Sequence, residues 1–124
     1  MTCRIFVVDD DRDHAESIAD ILGMHGYEVE LSFSGEDAVR RFSERDFDIV
    51  LLDVKLPGMN GVEAFFEFRR QRPDAQVIMM TGFSLEQLLS QALSSGAEGV
   101  LRKPFAVPEL LKALAEARPR GKAA

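Results

Sequence analysis

The sequence predicts an α/β fold in which a five-stranded parallel sheet is doubly wound, with helices on both faces. Short apolar runs recur at 3–8, 27–31, 49–52, 76–80 and 98–101, each followed by a stretch of helical spacing and a Gly, Pro or polar break. The runs are continuously apolar rather than alternating, as in strands covered on both faces, and right-handed crossovers between such strands produce the doubly wound arrangement. Acids close two of the runs: Asp9 and Asp10 follow residues 5–8, and Asp53 follows residues 49–52.

Each connecting stretch has its own signature. In the first, Ala15, Ile18, Ala19, Ile21 and Leu22 share a face, and Gly23 and Gly26 end a helix of about 12–25. Asp11 stands immediately before it and reads as its cap rather than as part of a site. Ser34 caps the second helix, with Asp37 in a capping-box-like position and Ala38, Val39 and Phe42 as the buried stripe. The third runs from Gly61 to Arg70 and is closed by Pro73; Phe65 and Phe68 are spaced for the core, which leaves Phe66 for the surface. Ser84 caps the fourth, where Leu85, Leu88, Leu89 and Leu93 lead to Gly96. Pro108 opens the fifth in a first-turn position, and Arg118 and Pro119 end it.

With 124 residues, 46% hydrophobic and 29% charged, the chain reads as one domain, 1–118, followed by a tail or linker stub at 119–124. A net charge of −6 argues against a phosphate-backbone surface across the molecule, so no direct nucleic-acid partner is expected. The single cysteine, Cys3, reads as a small buried side chain. The apolar run after Met1 is too short for a signal peptide or a membrane span, so a cytoplasmic protein is expected.

Ligands of doubly wound sheets bind beyond the carboxyl ends of the strands, which is where Asp9, Asp10, Asp53, Thr81 and Lys103 fall. Carboxylates about 5 Å apart repel by roughly 3 kcal/mol at an effective dielectric near 20, so a cluster of them calls for a cation, and a divalent metal is the natural one. Taken singly, each residue has an ordinary explanation. An aspartate after a strand forms turns, Thr81 can be a satisfied strand-end hydroxyl, and Lys103 a solvated charge. The combination is what points to chemistry. His14 and His25 fall on the first helix, away from the pocket or at its far end, and read as surface residues.

Four segments in order, Val7-Val8-Asp9-Asp10-Asp11, then Asp53 through Gly61, then Met80-Thr81-Gly82, then Lys103-Pro104-Phe105, resemble the receiver domain of two-component response regulators. The resemblance covers about Arg4 to Arg118. It implies a flavodoxin-like three-layer sandwich with strand order 2-1-3-4-5. It also implies that Asp53 is the phosphorylated aspartate, with Asp10 and Asp53 binding Mg²⁺ (or Mn²⁺) directly, Asp9 mainly through a water, and the Lys55 backbone carbonyl adding an oxygen. Lys103 and Thr81 would hold phosphoryl oxygens, and the Lys103-Pro104 bond would be cis. The donor would be a phosphohistidine of a sensor histidine kinase or histidine phosphotransfer protein, and the reader an output domain or a homodimer formed through the fourth and fifth helices.

The sequence departs from the family pattern at Val100, where receivers carry an aromatic ring. Activation is therefore expected to be read through the segment from Thr81 to Ser84 and the fourth helix. Lys55 and Phe83 occupy positions that tune loss of phosphate, and an apolar ring at Phe83 cannot orient an attacking water, so slow hydrolysis is expected. Competing functions are a degenerate receiver acting as a phosphorylation-independent interaction module, a small Asp-nucleophile phosphohydrolase, and a flavin binder. Lys55 stands where the phosphohydrolases carry a second acid, and acids after the first strand would repel FMN. The chain is thus expected to be no enzyme beyond its own phosphoryl transfer and dephosphorylation.

Overall fold

A computed structural model describes residues 3–82, 96–97 and 99–117. Phe83, the stretch from Ser84 to Leu93 read as the fourth helix, and the tail at 119–124 lie outside the described residues. The elements follow the predicted alternation: β1 (Arg4–Val8), α1 (Arg12–Met24), β2 (Glu28–Ser32), α2 (Gly35–Glu44), β3 (Ile49–Asp53), α3 (Gly61–Gln71), β4 (Val77–Thr81), β5 (Gly99–Arg102) and α4 (Val107–Glu116). The strands form one sheet, ordered β2-β1-β3-β4-β5, and every pairing is parallel.

The continuous apolar runs are resolved by the pleat into two cores, because successive side chains leave a strand on opposite faces. Phe6, Val8, Val50, Leu52 and Met79 pack with Phe42 of α2 and with Phe65 and Phe68 of α3. Ile5, Val7, Ile49, Leu51, Ile78 and Met80 pack with Ile18 and Leu22 of α1 and with Leu110 and Leu114 of α4. Both sides of the central strands are dry, which is why alternation was absent from the sequence. Cys3 is partly rather than fully buried, at the margin of the second core. Phe68 is fully buried and Phe66 is 43% exposed, as the spacing required. No helix among the described residues is long and apolar enough to cross a membrane.

The caps are local chemistry with one correction. Asp11 Oδ1 accepts the His14 N–H, and Ser34 Oγ accepts the Asp37 N–H, so both predicted caps are present. The Asp37 carboxylate, however, does not turn back to close a box: it accepts from Ser32 Oγ at 2.7 Å, Arg41 Nε at 3.0 Å and Arg40 at 2.6 Å. A strand hydroxyl and two arginines on the same helix outcompete a single backbone N–H. The full capping box lies instead at α3, where Asn60 Oδ1 accepts the Glu63 N–H and Glu63 Oε1 accepts the Asn60 N–H. Pro108 occupies the first turn of α4, as its sequence position implies.

Gly61 has a reason to be glycine. A Cβ there would lie 2.1 Å from the Asp53 carbonyl oxygen and 2.7 Å from the Val54 Cα, so α3 starts directly against the end of β3. Gly58 takes a left-handed φ of +68°, which turns the β3–α3 connection.

Candidate functional site

The carboxyl ends of the strands converge as the sequence requires. Asp53 is the last residue of β3 and Thr81 the last of β4; Asp9 follows β1 by one residue and Lys103 follows β5 by one. Backbone bonds fasten these ends together, with Lys103 N–H on the Thr81 carbonyl at 2.7 Å and Val54 N–H on the Met80 carbonyl at 2.9 Å. Between them lies a pocket of about 480 Å³ lined by Asp9, Asp10, Asp11, Asp53, Lys55, Leu56, Pro57, Thr81, Gly82 and Lys103. All five residues predicted to share this edge are in it. Val100 pairs with Met79 one step back along the sheet and packs on the Phe6–Phe68 core, away from the lining. The Lys103-Pro104 bond is cis.

Lys103 organises the acids. Its Nζ donates to Asp53 Oδ2 at 2.7 Å and to Asp9 Oδ2 at 2.8 Å. Burial disfavours its charged form, but the two carboxylates more than reverse that, and the ammonium is held above its ordinary range. Asp9 is fully buried, yet its carboxyl sits below the usual range: burial pushes it up, and the bonds from His14, Lys103 and the Asp11 N–H outweigh that push. Asp53 goes the other way. Burial raises it, the charge of Asp9 adds to the rise, and the opposing bonds from Lys103 and from the Lys55 N–H at 3.1 Å do not compensate. The acceptor candidate thus carries a carboxylate less fully paired than its neighbour.

One ligand oxygen from each of Asp9, Asp10 and Asp53 falls within 4.8 Å of the others. Four aspartates line the pocket against two lysines, so it retains negative charge after Lys103 is counted. Oxygen-only donors, one of them exposed to solvent on Asp10, suit a hard divalent cation that keeps several waters, and Mg²⁺ or Mn²⁺ fits this donor set.

His14 corrects the sequence reading. It is not a free surface residue: its Nδ1 stands 2.6 Å from Asp9 Oδ2, and its ring meets Phe105 edge-on at 5.6 Å. A side chain in the first turn of a helix leans back over the residues that precede it, and that lean was the available signal. Asp11, read only as a cap, also lines the pocket.

Comparison with known proteins agrees with this geometry. Residues 5–115 match the response regulator receiver domain. A response regulator receiver protein of Anaeromyxobacter sp. (strain Fw109-5) is 39% identical over 108 residues, 87% of this chain and 45% of that protein. The regulatory protein VanRB of Enterococcus faecalis is 37% identical over 112 residues, 90% of this chain and 50% of that protein. The chain therefore spans half or less of the length of these curated relatives. Among solved structures, a CheY-like receiver domain protein from Methanospirillum hungatei JF-1 superposes with a TM-score of 0.90 at 32% identity, covering 94% of this chain and 93% of that one. TrrA of Thermotoga maritima, solved in complex with Mg²⁺-BeF, gives 0.84 at 32% identity, covering 94% and 99%. With the fold, the strand-end acids and the match over nearly the whole chain in agreement, this protein belongs to the response regulator receiver domain family, the signalling domains of two-component systems.

Proposed function

We propose that Asp53 is the phosphoacceptor of this receiver. The observation that carries the reading is the bridge made by Lys103 between Asp53 and Asp9, in a pocket whose acids gather within 4.8 Å. An Asp53 carboxylate oxygen attacks phosphorus as the bond from phosphorus to the donor's histidine nitrogen breaks, and the product is an acyl phosphate on Asp53 with the imidazole as leaving group. Lys103 stays cationic and moves from carboxylate to a phosphoryl oxygen. Thr81, buried at the end of β4, supplies a hydroxyl at the same edge. Mg²⁺, when bound, neutralises charge on the transferring group. Asp10 and Asp53 would hold it directly, Asp9 would act through a water because its Oδ2 is already shared by Lys103 and His14, and the Lys55 carbonyl would add an oxygen.

The donor is a phosphohistidine on a sensor kinase or phosphotransfer protein, in the cytoplasm. The reader is an output domain or a second copy of the chain, consistent with relatives that are longer than this chain. The unit is residues 1–118, with 119–124 as tail or linker. Val100 supports one rival, a phosphorylation-independent interaction module, since the usual ring is missing. Intact-mass measurement after incubation with acetyl phosphate and Mg²⁺ separates the two. A labile phosphoryl adduct is expected in the parent and not in Asp53→Asn or in EDTA. An equal adduct in Asp53→Asn overturns the assignment, and none in either favours the rival.

A further inference from the structure

His14 lies five residues after Asp9 and is held from two sides. Its Nδ1 stands 2.6 Å from Asp9 Oδ2, and the edge contact with Phe105, at 66° between ring planes, keeps the imidazole from turning away. So short a contact with a carboxylate is favourable only when Nδ1 carries a proton, and the ring is a donor here whether neutral or charged. Asp9 is then heavily committed. Oδ1 accepts the Asp11 N–H at 3.0 Å, while Oδ2 accepts both Lys103 Nζ and His14 Nδ1–H. A carboxylate oxygen offers about two lone-pair sites, so Oδ2 has none left for a cation.

The gathering of ligand oxygens consists of Asp9, Asp10 and Asp53, and His14 does not join it. We propose that His14 is a positioning residue which, with Lys103, holds Asp9 back from direct metal ligation, dividing the three acids into one retained carboxylate and two that face the cation. The inference rests on the reading of this pocket as a divalent-cation site. Its sign is distinctive. Removing a residue that merely supports the pocket loosens it and weakens metal binding. Removing a donor that competes for Asp9 frees Oδ2 and tightens it.

The test compares the parent with His14→Leu, which keeps an apolar body against Phe105 and removes the donor, and His14→Asn, whose amide N–H stands near the place of Nδ1. Mn²⁺ affinity is read at one fixed pH from the electron paramagnetic resonance signal of the free ion, with circular dichroism reporting folding. His14→Leu is expected to bind Mn²⁺ about fivefold more tightly, the equivalent of about 1 kcal/mol, and His14→Asn to stay within about twofold of the parent. Long-range proton–nitrogen correlation on the metal-free parent is expected to show a protonated Nδ1, a readout that stands even if the leucine variant does not fold. Unchanged or weaker binding by a folded His14→Leu, or a neutral ring protonated only at Nε2, overturns the proposal. A parent that binds no Mn²⁺ instead overturns the cation-site reading beneath it.

Discussion

Replacing Lys103 by methionine keeps most of the apolar stem and removes the charge between two buried acids. In the folded protein Nζ lies 2.7 Å from Asp53 and 2.8 Å from Asp9, on a side chain that is 21% exposed. At an effective dielectric near 20, each contact carries about 6 kcal/mol of Coulomb attraction, before the cost of desolvating the ammonium is subtracted. Breaking a buried pair by removing one partner costs about 3–5 kcal/mol net, and solvent screening through the exposed part of Lys103 places the expectation near 3 kcal/mol. The acids left behind, with oxygens within 4.8 Å, repel by a further amount of about 3 kcal/mol per ionised pair unless a proton or a cation intervenes. A Mg²⁺ ion held by those oxygens only in the folded state would stabilise the variant by linkage. The chain has no tryptophan, so unfolding in urea at pH 7 is best followed by circular dichroism. Lys103→Met is expected to lose about 3 kcal/mol in EDTA and to recover about half of that in millimolar Mg²⁺. A variant as stable as the parent in EDTA, or a deficit untouched by Mg²⁺, refutes the view that Lys103 neutralises the acid cluster.

Three further outcomes are expected. Because burial raises Asp53, its ionised form costs stability above the folded pKa, and that cost is relieved as the pH falls toward the unfolded value of 3.8. Asp53→Asn in EDTA should therefore be more stable than the parent at pH 7, with the advantage shrinking as the pH is lowered; chemical denaturation showing a destabilised variant at pH 7 would contradict this. Asp9, whose carboxyl is lowered, contributes the opposite way: its stabilisation is present above 3.8 and lost as the pH falls through its folded pKa. In α3, Phe68→Ala should cost about 3–5 kcal/mol and Phe66→Ala less than about 1 kcal/mol by the same measurement, since Phe68 is fully buried 4.6 Å from the Phe42 ring and Phe66 is 43% exposed. Similar losses at the two positions would show that the helix face has been misassigned. Phe83→Glu, which offers a carboxylate to an attacking water, should lose phosphate faster than the parent when decay of the adduct is timed by mass; an equal or slower rate removes Phe83 as a tuning residue.

The parts of this molecule legible in its sequence are those set by local pattern. Apolar runs mark buried strands because nothing else in a short chain needs five of them, and the order of acids, threonine and lysine at their ends was enough to assemble the pocket. What escaped was decided by partners distant in sequence or by side-chain direction. Asp37 looked like a box partner for Ser34, but Ser32 on the neighbouring strand and two arginines one turn on hold its carboxylate. Asn60 lies inside the loop motif, and its cap on α3 is made visible only by its reciprocal bonds with Glu63. His14 was assigned by helix face alone, whereas its backward lean carries the ring over the end of β1. Cys3 is small enough to be buried but lies where the second core thins out.

The segment joining β3 to α3 is closed at its base: the Gly61 N–H meets the Val54 carbonyl at 2.8 Å, and no atom larger than hydrogen fits between Gly61 and the end of the strand. Residues 55 to 60 therefore hang from a clasp, tied farther out by Met59 N–H to Glu36 at 3.1 Å. The clasp fixes the backbone of Asp53, and the Lys55 N–H on Asp53 Oδ1 at 3.1 Å ties the near end of the loop to the same residue. A change near Lys55 is therefore felt at the Asp53 carboxylate, whereas the far end of the loop, at Met59, is anchored on α2 instead.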